Sequence, residues 1–432
     1  YGGNFAGDWT VDSGATLTSL SGSNRNFQNG SFVNNGTIEW AENSNAFLGG
    51  DVQVINNNAM HFMANSNFTT TTGGGTLINS ASGLMTVDAG KTVNITSGFI
   101  SNGGTMTADG IFNFNNSEQQ FNAGSLFNGS GDNRIINTAG FAGNITSQNL
   151  DFVSGNFNGD AAVLNGSADW YGGNFAGDWT VDSGATLTAL SGSNRNIQNG
   201  VFTNDGLINW SETSSVFVGG GAQVINNGAI DFMVDANAFV PTTGSGSLVN
   251  NGLIEKTGGT GTTSLATSIG FDNQGTVNVL SGTIGLPSDF ANDGTMGGTG
   301  TFSLTGTLTN NGDIAPGASG ATGSLSLTGN YVQTLDGSLN AQLASAAMFD
   351  MFDISGAAQL DGTLALSCIM GCSINNGDSF VLLDSAGPLS GVFSNVTTQG
   401  FLDGFTYDLV YDYDSNFVRL DIINVGMMAG VP

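Results

Sequence analysis

The chain has 432 residues, with 6 Lys and Arg against 34 Asp and Glu, and a formal charge of −28 at pH 7. The six basic side chains (Arg25, Lys91, Arg134, Arg195, Lys256 and Arg419) are too few and too scattered to form the cationic footprint that nucleic acid or an anionic membrane requires. No apolar run reaches the roughly 20 residues of a membrane-spanning helix, and 39% hydrophobic residues with only 5 Pro exclude a disordered acidic tail and a collagen-like chain.

The first element met along the chain is one half of a duplication. Residues 1–63 align without gaps on residues 171–233, differing at 17 of 63 positions, and the stretch YGGNFAGDWTVDSGATLT opens both copies unchanged. Beneath this long repeat runs a shorter beat of Asn-rich turns. Asn34-Asn35-Gly36, Asn56-Asn57-Asn58, Asn79-Ser80 and Asn102-Gly103-Gly104 follow one another at nearly even intervals. Later come Asn204-Asp205-Gly206, Asn226-Asn227-Gly228, Asn250-Asn251-Gly252, Asn273-Gln274-Gly275, Asn292-Asp293-Gly294 and Asn310-Asn311-Gly312, with the last two intervals somewhat shorter than the rest. The flanks alternate apolar and polar, as in Val52-Gln53-Val54-Ile55 and Thr276-Val277-Asn278-Val279, which is the pattern of strands with one buried face.

A unit of about 22 residues cannot bury its apolar face alone, but stacked copies can. The expected fold is therefore all-β: a parallel β-solenoid, with a right-handed β-helix as the form expected, of about 18–24 residues per rung. About 20 rungs spaced by about 4.8 Å would make a rod on the order of 95 Å long. The structural corners fall at Asn34, Gly36, Asn56, Asn204, Gly206, Asn226, Gly228, Asn250, Gly252, Asn310 and Gly312. Asn and Gly suit corners because both tolerate a left-handed backbone. Only the segment 340–352 has a composition open to helix, and a strand fits it equally well.

From about Asn310 the Asn corners thin out, so the domain reading is a solenoid over 1–312 and a β-rich capping segment over 313–432. The Asn310–Gly320 turn (NNGDIAPGASG), the Gly323–Tyr331 strand (GSLSLTGNY), the pair FDISG and LDGTL within 352–364 and the strand GDSFVLL at 377–383 resemble the end of a bacterial autotransporter passenger or a related large surface adhesin. The resemblance is detailed over roughly 300–425. It implies a secreted β-helical protein whose residues 313–425 seed and cap the helix, although no membrane barrel follows in this sequence. The closing apolar stretch 423–432 would cover the open end of the solenoid or dock on another subunit.

Candidates for chemistry are few. Cys368 and Cys372, with three positions between them, suit a local disulfide across a tight turn; free buried thiols remain the other reading, and a metal site would need two more ligands. A Ser-His-Asp triad would have to use the single histidine, His61, which lies on an alternating strand and is Asp231 in the second copy. Asp350/Asp353 and Asp412/Asp414 are the candidate carboxylate pairs, the latter alternate positions and so on one strand face. Trp9, Trp40, Trp179 and Trp210 serve either as core or as a sugar-stacking platform. No calcium-binding loop motif is present, so no cofactor is expected, and calcium enters only as a counter-ion that screens the charge or bridges subunits.

The expectation is a secreted, non-catalytic structural protein of the extracellular matrix or bacterial cell surface, self-associating by end-to-end stacking of solenoids into filaments. The alternative is an autotransporter-like adhesin acting as a monomeric rod that binds glycans or surfaces.

Overall fold

The computed structural model describes residues 2–20, 22–190, 193–317 and 320–426. Among these residues the regular structure is strand alone, with no helix. The chain divides into two compact units, Tyr1–Val224 and Ile225–Pro432.

The first unit is a parallel β-solenoid with three strands to a turn. Arg25–Gln28, Ser31–Asn34 and Thr37–Trp40 make one turn, and Ser44–Gly49, Val52–Asn56 and Ala59–Phe62 make the next. Each strand pairs in parallel with the strand one turn on, as Asn34 with Asn56 and Trp40 with Phe62. The register offset is not constant. Asn133 pairs with Leu150 across a short step and Ser66 with Val93 across a long one, so the rungs vary more than the spacing of turn motifs suggests. Where the turns are shortest the three strands merge. Ala139–Phe152 and Asn156–Trp170 each run through the corners as one long strand, with register shifts after Ala142 and Ser147.

Alternation along each short strand sends every second side chain inward, and the inward positions of neighbouring rungs then lie in columns. Phenylalanines fill these columns: Phe114 and Phe121 lie 5.2 Å apart between ring centroids, and Phe121 and Phe141 lie 5.1 Å apart and stacked. Each such buried ring contributes about 1.5–3 kcal/mol relative to exposure, the main force holding the stack closed.

The second unit continues in the same style. Leu253–Lys256, Thr276–Val279, Thr295–Gly298, Asp313–Pro316, Ser338–Ser345, Thr363–Ser373 and Asn395–Gln399 form one parallel series. This ladder crosses the expected 312/313 boundary without interruption, while its rungs lengthen until Thr363 pairs with Asn395. Phe417–Val425 pairs antiparallel with Ser379–Ser385 on one side and Phe405–Asp412 on the other. The helix candidate 340–352 is extended: Ser338–Ser345 turns back onto Met348–Phe349 as an antiparallel pair. Its alternating Leu339, Ala341 and Leu343 are buried, so the period-two pattern prevails over helix propensity. Of the closing apolar stretch, 427–432 lies outside the described residues.

Candidate functional site

The most regular polar feature is the corner column. In the first unit Asn34, Asn56 and Asn79 each end the second strand of a turn and are fully buried. The Asn34 amide donates to Asn56 Oδ1 at 2.7 Å, and the Asn56 amide donates to Asn79 Oδ1 at 2.9 Å. The remaining amide protons reach backbone carbonyls of Ala59, Leu84 and Thr105. Beyond Asn79, serines take the place, and Ser125 Oγ donates to Ser101 Oγ at 2.8 Å. Asn204, also fully buried, ends the strand Val201–Asn204 in the second copy.

In the second unit the column runs from Asn226 through Asn250, Asn273 and Asn292 to Asn310, each amide donating to the next side-chain oxygen at 2.7–2.9 Å. Gln333, in register with Asn310, closes it. Its amide donates to the carbonyls of Gly337, Asp361 and Thr363, and the Tyr331 hydroxyl donates to its oxygen at 2.8 Å. A carboxamide carries both donor and acceptor, so identical residues one rung apart satisfy each other; a carboxylate column would repel itself.

The glycines of these corners act differently from the expectation. Gly36, Gly206, Gly252 and Gly312 are absent from the residues with positive φ, so a left-handed backbone is not their purpose. A Cβ on Gly36 would lie 2.3 Å from Ala15 O, one on Gly206 2.4 Å from Ala185 O, one on Gly252 2.2 Å from Gly228 O and one on Gly312 2.1 Å from Gly294 O. They are small because the rung beneath passes too close for any side chain. Left-handed residues sit in other turns, such as Asn29, Asn199, Gly14 and Gly184.

The enzymatic candidates do not assemble. His61 Nε2 lies 2.7 Å from Asp88 Oδ1, but its register neighbours are Glu39 and Thr86 rather than a serine. Asp350 is fully buried, and its two oxygens accept from the backbone N–H groups of Gly323 at 2.8 Å and Gln342 at 2.9 Å; burial nevertheless pushes its pKa up to about 7. Asp353 is exposed on the following strand. Asp412 ends its strand and accepts from the N–H groups of Asp414 and Ser415, so Asp414 lies in the turn and the two carboxylates do not share a strand face. Among the described residues no group of three or more His, Cys, Asp and Glu is arranged to hold a metal ion.

Cys368 and Cys372 are disulfide-bonded, with Cα atoms 5.4 Å apart. Trp40, Trp170, Trp179 and Trp210 are buried, and Trp9 alone of the five tryptophans is exposed. A sugar-stacking surface therefore has one indole to offer rather than four.

Sequence reasoning missed one electrostatic cluster. Arg134, Asp151 and Asp169 occupy one column on three successive rungs, and Asp132 pairs with Arg134 beside them. Asp151 is buried, 3.5 Å from Arg134 Nε. Burial, then the charges of Asp132 and Asp169, push its pKa up to about 7 against the opposing pull of Arg134. Only the register, which shifts irregularly there, brings these residues together. No family model matches the chain. A search of curated proteins finds no match.

Proposed function

We propose that this is a secreted, non-catalytic structural protein of the extracellular matrix or bacterial cell surface, assembling by end-to-end stacking of solenoids. The observation that carries the reading is the repetitive parallel stack, whose rungs pair backbone to backbone and carry a stacked phenylalanine core and a laddered carboxamide column. Parallel stacks join through their strand edges, and a head-to-tail contact that does not close by symmetry gives fibres. The largely uncharged repeats and the disulfide support a material made for an oxidising exterior.

Negative-stain electron microscopy over a protein concentration series, with and without calcium, tests the assembly. Regular filaments that lengthen with concentration are expected; single particles at every concentration would overturn it. Hydrolysis or lyase activity on an acidic or neutral polysaccharide, lost in Asp412→Asn, would overturn the non-catalytic part. The adhesin reading, which comes with the autotransporter-like C-terminal motifs, has exposed Trp9 in its favour and four buried tryptophans against it.

A further inference from the structure

Asn-Gly steps recur along the chain, and the fold treats them in two ways. Such a step carries latent chemistry, because a glycine nitrogen unhindered by a neighbouring Cβ can attack the asparagine side-chain carbonyl carbon. The attack needs that nitrogen free of a hydrogen bond and the carboxamide free to turn. At the Asn corner both are withheld. Gly252 N donates to Asn226 O at 2.9 Å, and Gly312 N donates to Asn292 O at 3.0 Å. The Asn251 amide donates to Asn227 Oδ1 at 2.8 Å, and the Asn311 amide donates to Asp293 Oδ1 at 2.8 Å. Gly36 N donates to Asn34 Oδ1, while Asn35 Oδ1 accepts from the Asn57 amide at 2.8 Å. Gly377 N donates to Ile422 O at 2.8 Å. Gly159 and Gly166 lie within the strand Asn156–Trp170, opposite Phe141 and Ser147 of the rung before.

Asn29-Gly30 and its duplicate Asn199-Gly200 are built otherwise. Both asparagines are exposed and left-handed, with φ of 52° and 56°. Among the described residues neither carboxamide has a hydrogen-bond partner, and neither Gly30 N nor Gly200 N has an acceptor. The residue that follows is the one held: Ser31 N donates to Asp8 Oδ1 and Val201 N to Asp178 Oδ1, both at 2.9 Å. Asn102 and Asn128, also followed by glycine, have their carboxamides occupied or enclosed. Asn102 Oδ1 accepts from the Asn122 amide at 2.6 Å, and Asn128 Oδ1 is buried. The two open steps stand at different corners. The column of Ser31–Asn34 runs through Val52–Asn56, Gly75–Asn79, Gly98–Asn102 and Gln119–Asn122 to Phe157, Phe175 and then Ile197. Arg195–Gln198 therefore occupies the column next to that of its own counterpart, Arg25–Gln28, and the second copy is turned by one strand.

We propose that Asn29 and Asn199 are deamidation sites built into the repeat, while the Asn-corner steps are locked against the same reaction. The Gly30 nitrogen bonds to Asn29 Cγ, the Cγ–Nδ2 bond breaks, and the displaced nitrogen leaves as ammonia with the glycine N–H proton. The succinimide that remains takes up one water and opens to aspartate or isoaspartate. Gly200 and Asn199 react in the same way. Each event turns a neutral carboxamide into a carboxylate on an already acidic chain, and the isoaspartyl product adds a methylene to the main chain at a corner. Because the second copy is turned by one strand, the two marks fall on two corners of the solenoid. The inference rests on corner geometry alone and holds whether or not copies assemble.

The test incubates the folded full chain at pH 8 in heavy-oxygen water, so that only events of the incubation carry the label, and maps the peptides by mass spectrometry. Ser31 and Val201 tell the two copies apart. Labelled product at Asn29 and Asn199 is expected to accumulate at least about fivefold faster than at Asn251 and Asn311, the scale on which one backbone hydrogen bond shifts a local opening equilibrium. The same chain unfolded in denaturant is expected to bring the four rates together, because all four steps are Asn-Gly. Equal rates in the folded chain, or faster reaction at Asn251 and Asn311, would overturn the proposal. So would the same preference in the unfolded chain, which would place its origin in the neighbouring sequence and not in the corner.

Discussion

Asn250 shows what a corner residue contributes. Its oxygen accepts from Asn226, one amide proton goes to Asn273 Oδ1 at 2.8 Å and the other to Thr276 O at 3.1 Å, so the buried carboxamide is satisfied on every side. Asn250→Ala takes an acceptor from Asn226 and a donor from Asn273 in a dry setting, and is expected to cost about 2–3 kcal/mol. Asn251, next in sequence but exposed, makes a single bond to Asn227, and Asn251→Ala should stay within about 0.5 kcal/mol. Denaturant midpoints measure both, and equal losses would refute the column as a source of stability. The corner positions were legible because the same residue recurs at the spacing of a rung. Asp151 was not, because its pairings with Arg134 and Asp169 rest on short, irregular offsets that no local pattern announces.

Asp151 also makes a prediction of definite sign. Its folded pKa of about 7 lies above the ordinary carboxyl value, so the native state holds a proton that the unfolded chain releases between about pH 4 and pH 7. Stability from this group is therefore greatest at the acid end of that window and falls as pH rises through it, by up to about 1.4 kcal/mol per pH unit for one proton. Asp350, also at about 7, adds in the same direction. Melting temperature should thus be higher at pH 5 than at pH 8, and Asp151→Asn should flatten the decline by about one proton. An unchanged slope in the variant would show that Asp151 is ionised in the folded protein at pH 5.

At the scale of elements, the strand beat was legible because alternation and the Asn turns repeat together. Three strands per turn was not, since the corner ahead of the Asn-ended strand is marked only by glycines, such as Gly30, Gly50, Gly200 and Gly221, and glycine recurs throughout the chain. The merging of strands into Ala139–Phe152 and Asn156–Trp170 was equally hidden, because glycines there read as turns. Glycine has two distinct meanings in these turns, and substitution separates them. Gly312→Ala drives a methyl to 2.1 Å from Gly294 O, a backbone atom that cannot step aside without displacing a rung. Gly184 is left-handed, with φ of 82°, and a methyl there meets nothing within 4 Å. Gly184→Ala should cost about 1 kcal/mol for the backbone conformation alone. Gly312→Ala should cost about 3 kcal/mol, at the upper end of overpacking. Thermal melts of the two variants would decide the matter, and the reverse order would mean that rungs at the Asn corner can spread apart.

At the scale of the whole molecule the controlling quantity is a charge of −28 with six basic side chains to offset it. The paired cations are largely committed to local partners: Arg195 to Glu212, Lys256 to Asp235 at 2.8 Å, Arg419 to Asp421 at 2.8 Å. The remaining carboxylates repel one another over distances that salt governs, because the screening length falls from about 30 Å at 0.01 M to about 8 Å at 0.15 M ionic strength. Raising ionic strength across that range should therefore raise the melting temperature, most steeply at its low end. The same repulsion opposes end-to-end contact between copies, so assembly should also be favoured by salt. Divalent ions discriminate between screening and binding. Acting only as counter-ions, calcium and magnesium chloride at matched concentration should raise the melting temperature equally. A gain with calcium that magnesium does not reproduce, saturating at a fixed stoichiometry, would instead require a coordinating site, and would make calcium a component of the fold rather than part of its ionic atmosphere.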